Sequence, residues 1–569
     1  MGWQPGQSDD PDAALGTARD PRLARFAKDG EWDGRRPSAA AAAVLEDVSG
    51  PEWRCPGASR DEMLGMLRQA AALESWAAAV KLGVLRALAR DDDEPLPGGG
   101  YHGDLPEGWS KSLTHEVALA LSVPAVSADK MMWAAWDLQA RLPGIGALLA
   151  GGELTYAQAK VVHEVFLLLS DEKAAQAEAL ILPELPGKTY GQVKRLAEQA
   201  ALTVDPEAAA RRRAHAEREN TRVTLFREDS GAVGLSGRDL PTDQALAAHA
   251  HVCARAQQYK DSGAFPRDTG MDQLRSAAYL DLLNGTAAEV RIASGQLATN
   301  DPNDVEPGDD RPDQERPPRP LNLVLPLATL LGSAERPGES HGLGPLDPAL
   351  CRQLAISAIY SPWTRLCVTV TDAEGIAIGH GCAKPARSAK IEPVNPAGMS
   401  LPAQVNLTIT AARLAELAAT RPPGQPPWSF TRVSDSGPLD GSGTWMLTLP
   451  DGRELTVLLE PIPTYECDHR HESHAYQPSD RLRHLVQIRD YACTFPPCNR
   501  HARESDFEHA VPYDKGGRTC GCNAGARSRA CHQIKQSPGW TVTQPRPGWH
   551  QWQTPSGRLY IQPPKRYLA

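Results

Sequence analysis

The sequence predicts an α+β chain: a mainly α-helical body, a small mixed region, and a compact C-terminal module of two strands and a helix organised around metal. Three observations carry this reading. Apolar residues recur at three- and four-residue steps through much of residues 61–298. An acidic, proline-rich stretch interrupts the pattern, and strand-like runs follow it. Five of the eleven cysteines, interleaved with histidines, fall within the 39 residues from Cys493 to Cys531.

Residues 1–60 are rich in Asp, Pro, Gly and Ala and are expected to lack structure. The run DEMLGMLRQAAALESWAAAVKLGVLRALAR, Asp61 to Arg90, combines strong helix formers with helical spacing. Further helices are predicted at 114–142, 155–169, 171–181, 190–202, 206–220, 242–258 and 270–283, with Ser127 and Thr155 placed as N-caps. RVTLFREDSGAVGL, from Arg222, reads as a hairpin. Trp76, Trp133 and Trp136 are expected in the core, His163 and His215 on helix surfaces, and Arg211-Arg212-Arg213 as a solvated face. Together these make a helical domain over 61–298.

Residues 299–320 hold six Pro and seven acidic residues with almost nothing apolar, the composition of a linker. The mixed region then covers 321–478, with strands expected at 321–331 and 363–371 and a hairpin over 446–459 around Pro450-Asp451-Gly452. The module occupies 479–540, and 541–569 is read as a tail.

Length argues for two to four domains, and 41% apolar with 23% charged residues is a globular balance. No apolar run is long enough to span a bilayer, and the start MGWQPGQSDD lacks a signal-peptide pattern, so a cytoplasmic location and no membrane partner are expected. The net charge of −10 excludes a chain that coats nucleic acid along its whole length. Its distribution is uneven: residues 480–569 carry 14 Lys or Arg against 6 Asp or Glu. A basic module on an acidic body confines any phosphate-binding surface to the C-terminus.

Within that module Glu508 and His509 are adjacent, Asn523 follows His509 by 14 residues, and His532 follows Asn523 by 9. Hydrolysis of a phosphodiester needs a base for water and a cation to stabilise charge at phosphorus and the leaving oxygen. A His beside a carboxylate, with a second His returning from a helix, supplies both. His509 is expected on a strand with Glu508 on the opposite side of the pleat. Asn523 to Gln536 is expected to be helical for most of its length, with Cys531 and His532 about 100° apart around it. That separation leaves Cys531 for a structural metal and His532 for the catalytic ion. Cys493-x4-Cys498 and Cys531 then supply three ligands of a structural Zn²⁺, with Cys520 or Cys522 as the fourth. Arg527, Arg529 and Lys535 share the helix of His532 and are expected to meet phosphates. Cys467, His469, His471 and His474 are read as a solvated or locally structural segment rather than a further metal site.

These residues resemble HNH endonucleases. The chain as a whole resembles the 13E12-repeat proteins (domain of unknown function 222) that carry such a module, through LQARLPGIGALLAGGELTYAQAK, LNLVLPLATLLG and YQPSDRLRHLVQIRD. The likeness runs over about residues 60–540 and is strongest in the last 65 of them. It implies Glu508 as the metal-binding acid, His509 as the general base, His532 as the second metal ligand and Asn523 as the residue that orients the catalytic loop. It further implies a divalent cation, Mg²⁺ or Mn²⁺, and DNA as the partner that is nicked or cut. Two positions depart from the pattern: Glu508 stands where many relatives have Asp, and Ser528 where a Cys is usual.

Overall fold

The computed structural model describes residues 19–205, 207–297, 321–361, 363–385, 403–419, 428–433 and 443–569. These combine helix and sheet, as the α+β reading expects. The linker reading of 299–320, and the lack of structure expected for residues 1–18, lie outside the described residues. No described helix is long and apolar enough to cross a membrane. The chain divides into two compact units, Met1–His215 and Ala216–Ala569.

The first unit is helical. Its longest element, Arg60–Arg90, starts at a capping box in which Ser59 and Glu62 satisfy each other's backbone N–H. The expected helix at 114–142 is two, Lys111–Leu121 and Ala125–Ala140, broken at Val123-Pro124. Ser127 therefore lies inside the second helix, whereas Thr155 caps Tyr156–Phe166 as expected. Leu82, Trp136, Leu142, Ile145, Val162 and Phe166 belong to one core. His163 is not on the surface: it is buried, and its Nδ1 meets Asp137 Oδ2 at 2.7 Å while Arg141 holds Asp137 Oδ1 at the same distance. An apolar count could not see that pairing. Trp76 and Trp133 stay partly exposed.

Residues 19–60 also depart from expectation. A short 3₁₀ turn, Pro21–Phe26, and a helix, Ala39–Ser49, bury Leu23, Phe26, Trp32, Ala41 and Val48 together with Met66. A few well-spaced apolar side chains suffice because the Arg60–Arg90 helix supplies the other wall.

The second unit opens with the expected hairpin, Arg222–Arg227 and Val233–Arg238, and the helices Thr242–Ser262, Met271–Asn284 and Ala288–Ser294. The mixed region holds more strands than its sequence suggests. Nine strands form one sheet in the order Ser429–Arg432, Gly443–Thr448, Glu454–Pro461, Ala377–Pro385, Arg365–Thr371, Ala403–Thr410, Leu321–Pro326, Gly338–Ser340, Gly344–Leu346. Ala403–Thr410 runs parallel to both of its neighbours, and the other pairings are antiparallel. Buried strands such as Arg365–Thr371 (RLCVTVT) are nearly continuous in apolar and β-branched residues, as a sheet covered on both faces requires.

The C-terminal segment packs on this sheet through Val324, Ala377, Ile462, Leu485, Ile488 and Tyr567. It consists of the helix Asp480–Asp490, the antiparallel strands Asp506–His509 and Ala524–Arg527, and the helix Arg529–Lys535. Ala524–Arg527 is thus a strand, not the start of a helix. Gly525 is a poor helix former, and the strand pairs with Asp506–His509 while Ala526 N–H donates to Asp490 at 2.8 Å. The helix begins only at its N-cap, Ser528, whose hydroxyl accepts from Cys531 N.

Residues 541–569 are not a tail. Thr541–Arg546, Trp549–Gln553 and Leu559–Gln562 form a three-stranded antiparallel sheet. Trp552 is fully buried, donates to the Thr494 carbonyl at 2.7 Å and meets Phe495 edge-on. Tyr567 N–H then bonds to Gly375, tying the chain end to the central sheet. Gly375 has φ of +85°, and a Cβ there would stand 2.6 Å from the Tyr567 carbonyl.

Candidate functional site

Glu508 and His509 occupy the last two positions of the Asp506–His509 strand, so their side chains leave opposite faces. Glu508 turns to the Arg529–Lys535 helix. Its Oε2 lies 3.0 Å from His532 Nε2 and its Oε1 2.9 Å from Lys535 Nζ. Burial alone would raise the Glu508 carboxyl, but hydrogen bonds from His532 and Lys535 overrule it and hold the pKa at about 2. His532 also meets Asp506 Oδ2 through Nδ1 at 2.8 Å. Its pKa is raised by the hydrogen bond to Glu508 and, against burial, by that to Asp506.

His509 is buried on the other face, 5.5 Å from a stacked Tyr476 ring. Its Nε2 lies 2.9 Å from the Thr519 hydroxyl, which itself donates to the Tyr476 carbonyl at 3.4 Å. With the Thr519 proton used there, His509 Nε2–H is the donor and Nδ1 carries the lone pair. Burial pushes the imidazolium down from its ordinary range, which favours the neutral ring.

Between the two strands the chain loops through 510–523, and Asn523 closes the loop. Its Oδ1 accepts from Val511 N at 2.8 Å, while its Nδ2 donates to the carbonyls of Val511 and Arg518 at 3.0 and 2.9 Å. Gly517 makes the closure possible, since a Cβ there would stand 1.9 Å from the Val511 carbonyl. From below, the fully buried Arg489 donates to the carbonyls of Gly521 and Ala524 at 2.7 and 2.6 Å, with Asp490 as its counter-ion at 2.8 Å.

The sulfur ligands fall into separate groups, each compatible with a metal ion. Cys493, Cys498 and Cys531 bring their sulfurs within 4.8 Å of one another. Neither Cys520 nor Cys522 joins them, which corrects the expected fourth ligand. Ser528 stands beside the trio instead, its hydroxyl 3.7 Å from Cys498 Sγ and its N–H 3.3 Å from Cys493 Sγ. Cys520 and Cys522 meet Cys467 and His469. Cys467 Sγ lies 3.4 Å and His469 Nδ1 3.3 Å from Cys520 Sγ, and His469 Nδ1 lies 3.9 Å from Cys522 Sγ. The segment CDHRHESH is therefore half of a four-ligand cluster rather than solvated chain. His471 and His474 stay outside it.

The expected phosphate-contacting residues divide. Arg529 is exposed and pairs with Asp506 at 3.1 Å. Arg527 is fully buried on the strand, its guanidinium 5.4 Å from the Trp552 ring. Lys535 is buried against Glu508 and also donates to the His509 carbonyl at 2.8 Å. Both differ from the exposed helix positions expected of them, because the strand, not the helix, carries Arg527 and the short helix turns Lys535 inward.

Sequence reasoning missed Asp506, Thr519 and Arg489, which aim the residues it found. It also missed a third cluster, Cys367, His380, Cys382 and His484. Its one local signal was His380-Gly381-Cys382, two ligand types two apart on one strand face.

Residues 70–365 match the family described as "Domain of unknown function (DUF222)". Among curated proteins, the chain is 36% identical over 98 residues to the uncharacterized protein Rv3776 of Mycobacterium tuberculosis, which is 17% of this chain and 18% of that protein. It is 33% identical over 90 residues, 16% of each chain, to the uncharacterized proteins MT2160 and Rv2100 of the same organism. The chain thus spans under a fifth of the length of these relatives. No solved structure matches it. The family match takes in just over half of the residues, and the chain belongs to the DUF222 family.

Proposed function

We propose that the C-terminal segment is an HNH-type (ββα-metal) endonuclease module that hydrolyses phosphodiester bonds of DNA, with the helical body positioning it or a partner. The observation that carries this reading is the aim of His509: its ring is oriented by Thr519, with the lone pair left on Nδ1, one residue from the Glu508–His532 pair. The DUF222 family is also typically associated with HNH endonuclease proteins.

The residues fit a catalytic cation. Asp506 takes Nδ1–H of His532, which leaves Nε2 as the ligand atom facing Glu508 Oε2, a carboxylate–imidazole set backed by a second carboxylate. Glu508 and His532 would hold a divalent cation, Mg²⁺ or Mn²⁺, which would supply Lewis-acid stabilisation of charge on the departing 3′ oxygen. His509 Nδ1 takes the proton of a water whose oxygen attacks phosphorus, and the bond to the 3′ oxygen breaks. Asn523 holds the loop that carries Thr519, and so keeps the His509 ring aimed. Arg529 and the basic surplus of the segment draw the phosphate backbone in. Cys467, His469, Cys520 and Cys522 would supply four ligands to a structural zinc, and Cys493, Cys498 and Cys531 three thiolates to a second.

A second reading, a catalytically silent DNA-binding or scaffold protein, is favoured by one observation: Lys535 Nζ occupies one oxygen of Glu508. Supercoiled plasmid separates the two. Relaxation in Mg²⁺ or Mn²⁺ that stops on chelation supports the nuclease; binding without cleavage across the metal series supports the silent protein.

A further inference from the structure

Cys367 and Cys382 are cross-strand partners in the central sheet, and so are Thr369 and His380. The pleat therefore places Cys367, His380 and Cys382 on one face. The helix Asp480–Asp490 lays His484 over that face. One ligand atom from each of the four lies within 4.8 Å of every other, with Cys367 and His380 fully buried. His484 Nε2 stands 3.0 Å from His380 Nε2 and 3.1 Å from Cys382 Sγ, and Cys382 Sγ stands 3.5 Å from His380 Nε2. Zn–N and Zn–S bond lengths give tetrahedral ligand separations of about 3.3–3.8 Å.

The surroundings select the ligand atoms. Thr369 gives its hydroxyl proton to Asn406 Oδ1 at 2.8 Å and so accepts from His380 Nδ1 at 2.9 Å. His380 Nε2 is then a bare lone pair aimed at the other three residues, an arrangement of the kind that orients histidines around metals. No carboxylate belongs to the group. One contact opposes a metal: Arg503 Nη2 stands 3.4 Å from His484 Nδ1 and would have to withdraw once that nitrogen carries the proton.

We infer that Cys367, His380, Cys382 and His484 bind one zinc ion that staples the central sheet to the Asp480–Asp490 helix. Binding releases two thiol protons to solvent and leaves a neutral Cys₂His₂ site with every position filled by protein, which is a structural rather than a catalytic centre. The same helix carries Arg489, which grips the loop of the candidate active site, so the staple fixes that loop to the body of the unit. Nothing here depends on nuclease activity.

The test is native mass spectrometry of the full-length chain, expressed with zinc and dialysed against a chelator that leaves the wild type loaded. His484→Phe is expected to carry one zinc fewer than wild type, and His484→Cys, which restores a ligand, the wild-type number. Equal zinc in His484→Phe and wild type overturns the site. Should His484→Phe aggregate, a zinc-edge anomalous map of crystals of the wild-type chain decides. A peak between the four side chains sustains the inference, whereas a Cys367–Cys382 disulfide, or peaks only at other clusters, refutes it.

Discussion

The hydroxyl of Thr519 lies 2.9 Å from His509 Nε2, and this one contact sets which ring nitrogen can accept a proton. Thr519→Val removes it at nearly constant volume. The expected result is a loss of about 10–100-fold in cleavage rate with DNA affinity unchanged, the order seen when a supporting hydrogen bond is removed from a site. Thr519→Ser, which keeps the hydroxyl, should restore most of the rate. Equal rates in all three proteins would show that the contact does not orient the ring.

Arg527 and Arg529 are two residues apart but face different surroundings, one fully buried and the other exposed. Arg529→Ala is expected to lower the slope of log affinity against log salt by about one, as loss of a single phosphate contact does. Arg527→Met should leave that slope unchanged. Fluorescence anisotropy over a salt series distinguishes them, and a reduced slope for Arg527→Met would contradict the burial.

Much of the helical body was legible in the sequence, because helical spacing and caps such as Thr155 are local signals. Glu508, His509, Asn523 and His532 were legible as a pattern of types and intervals. What was not legible depended on partners far along the chain. Ala524–Arg527 is a strand because Asp506–His509 pairs with it, and a window centred on Asn523 does not contain that partner. Cys520 meets Cys467 across 53 residues, so spacing within the module assigned it to Cys493, Cys498 and Cys531, which it does not join. Lys535 turns inward because Glu508 lies beneath it.

His501 gives the C-terminal segment a pH-dependent stability. Burial, with His341 and Arg503 nearby, lowers its pKa to about 4. Its Nδ1 accepts from Arg503 N at 3.2 Å, a bond that protonation removes. The unfolded chain has an ordinary value of about 6.5, so between these values the unfolded state binds more protons. Stability is therefore expected to fall as pH drops from 6.5 towards 4 and to level off below. His501→Gln should flatten this part of the profile in urea unfolding followed from pH 4 to 8. An unchanged slope in the variant would assign the effect to other groups.

The two sulfur clusters of the C-terminal segment should be separable. Cys520→Ser is expected to lose about one zinc and expose the CDHRHESH segment to protease. Cys493→Ser should lose a different zinc and loosen the start of the Arg529–Lys535 helix, with the double variant losing both. Metal analysis with peptide mapping of limited proteolysis reads this out. A single zinc lost in all three proteins would mean that the cysteines serve one site, against the separation seen here.

The central claim is that His509 is the base of a metal-dependent DNA hydrolysis. It is tested most directly by single-turnover nicking of supercoiled plasmid in saturating Mn²⁺, comparing wild type with His509→Ala at DNA concentrations where both are fully bound. Phosphate contacts dominate affinity and a neutral imidazole adds little, so binding should be nearly equal while nicking falls to background in the variant. Nicking by His509→Ala at the wild-type rate, or none by wild type in any divalent metal, would contradict the account.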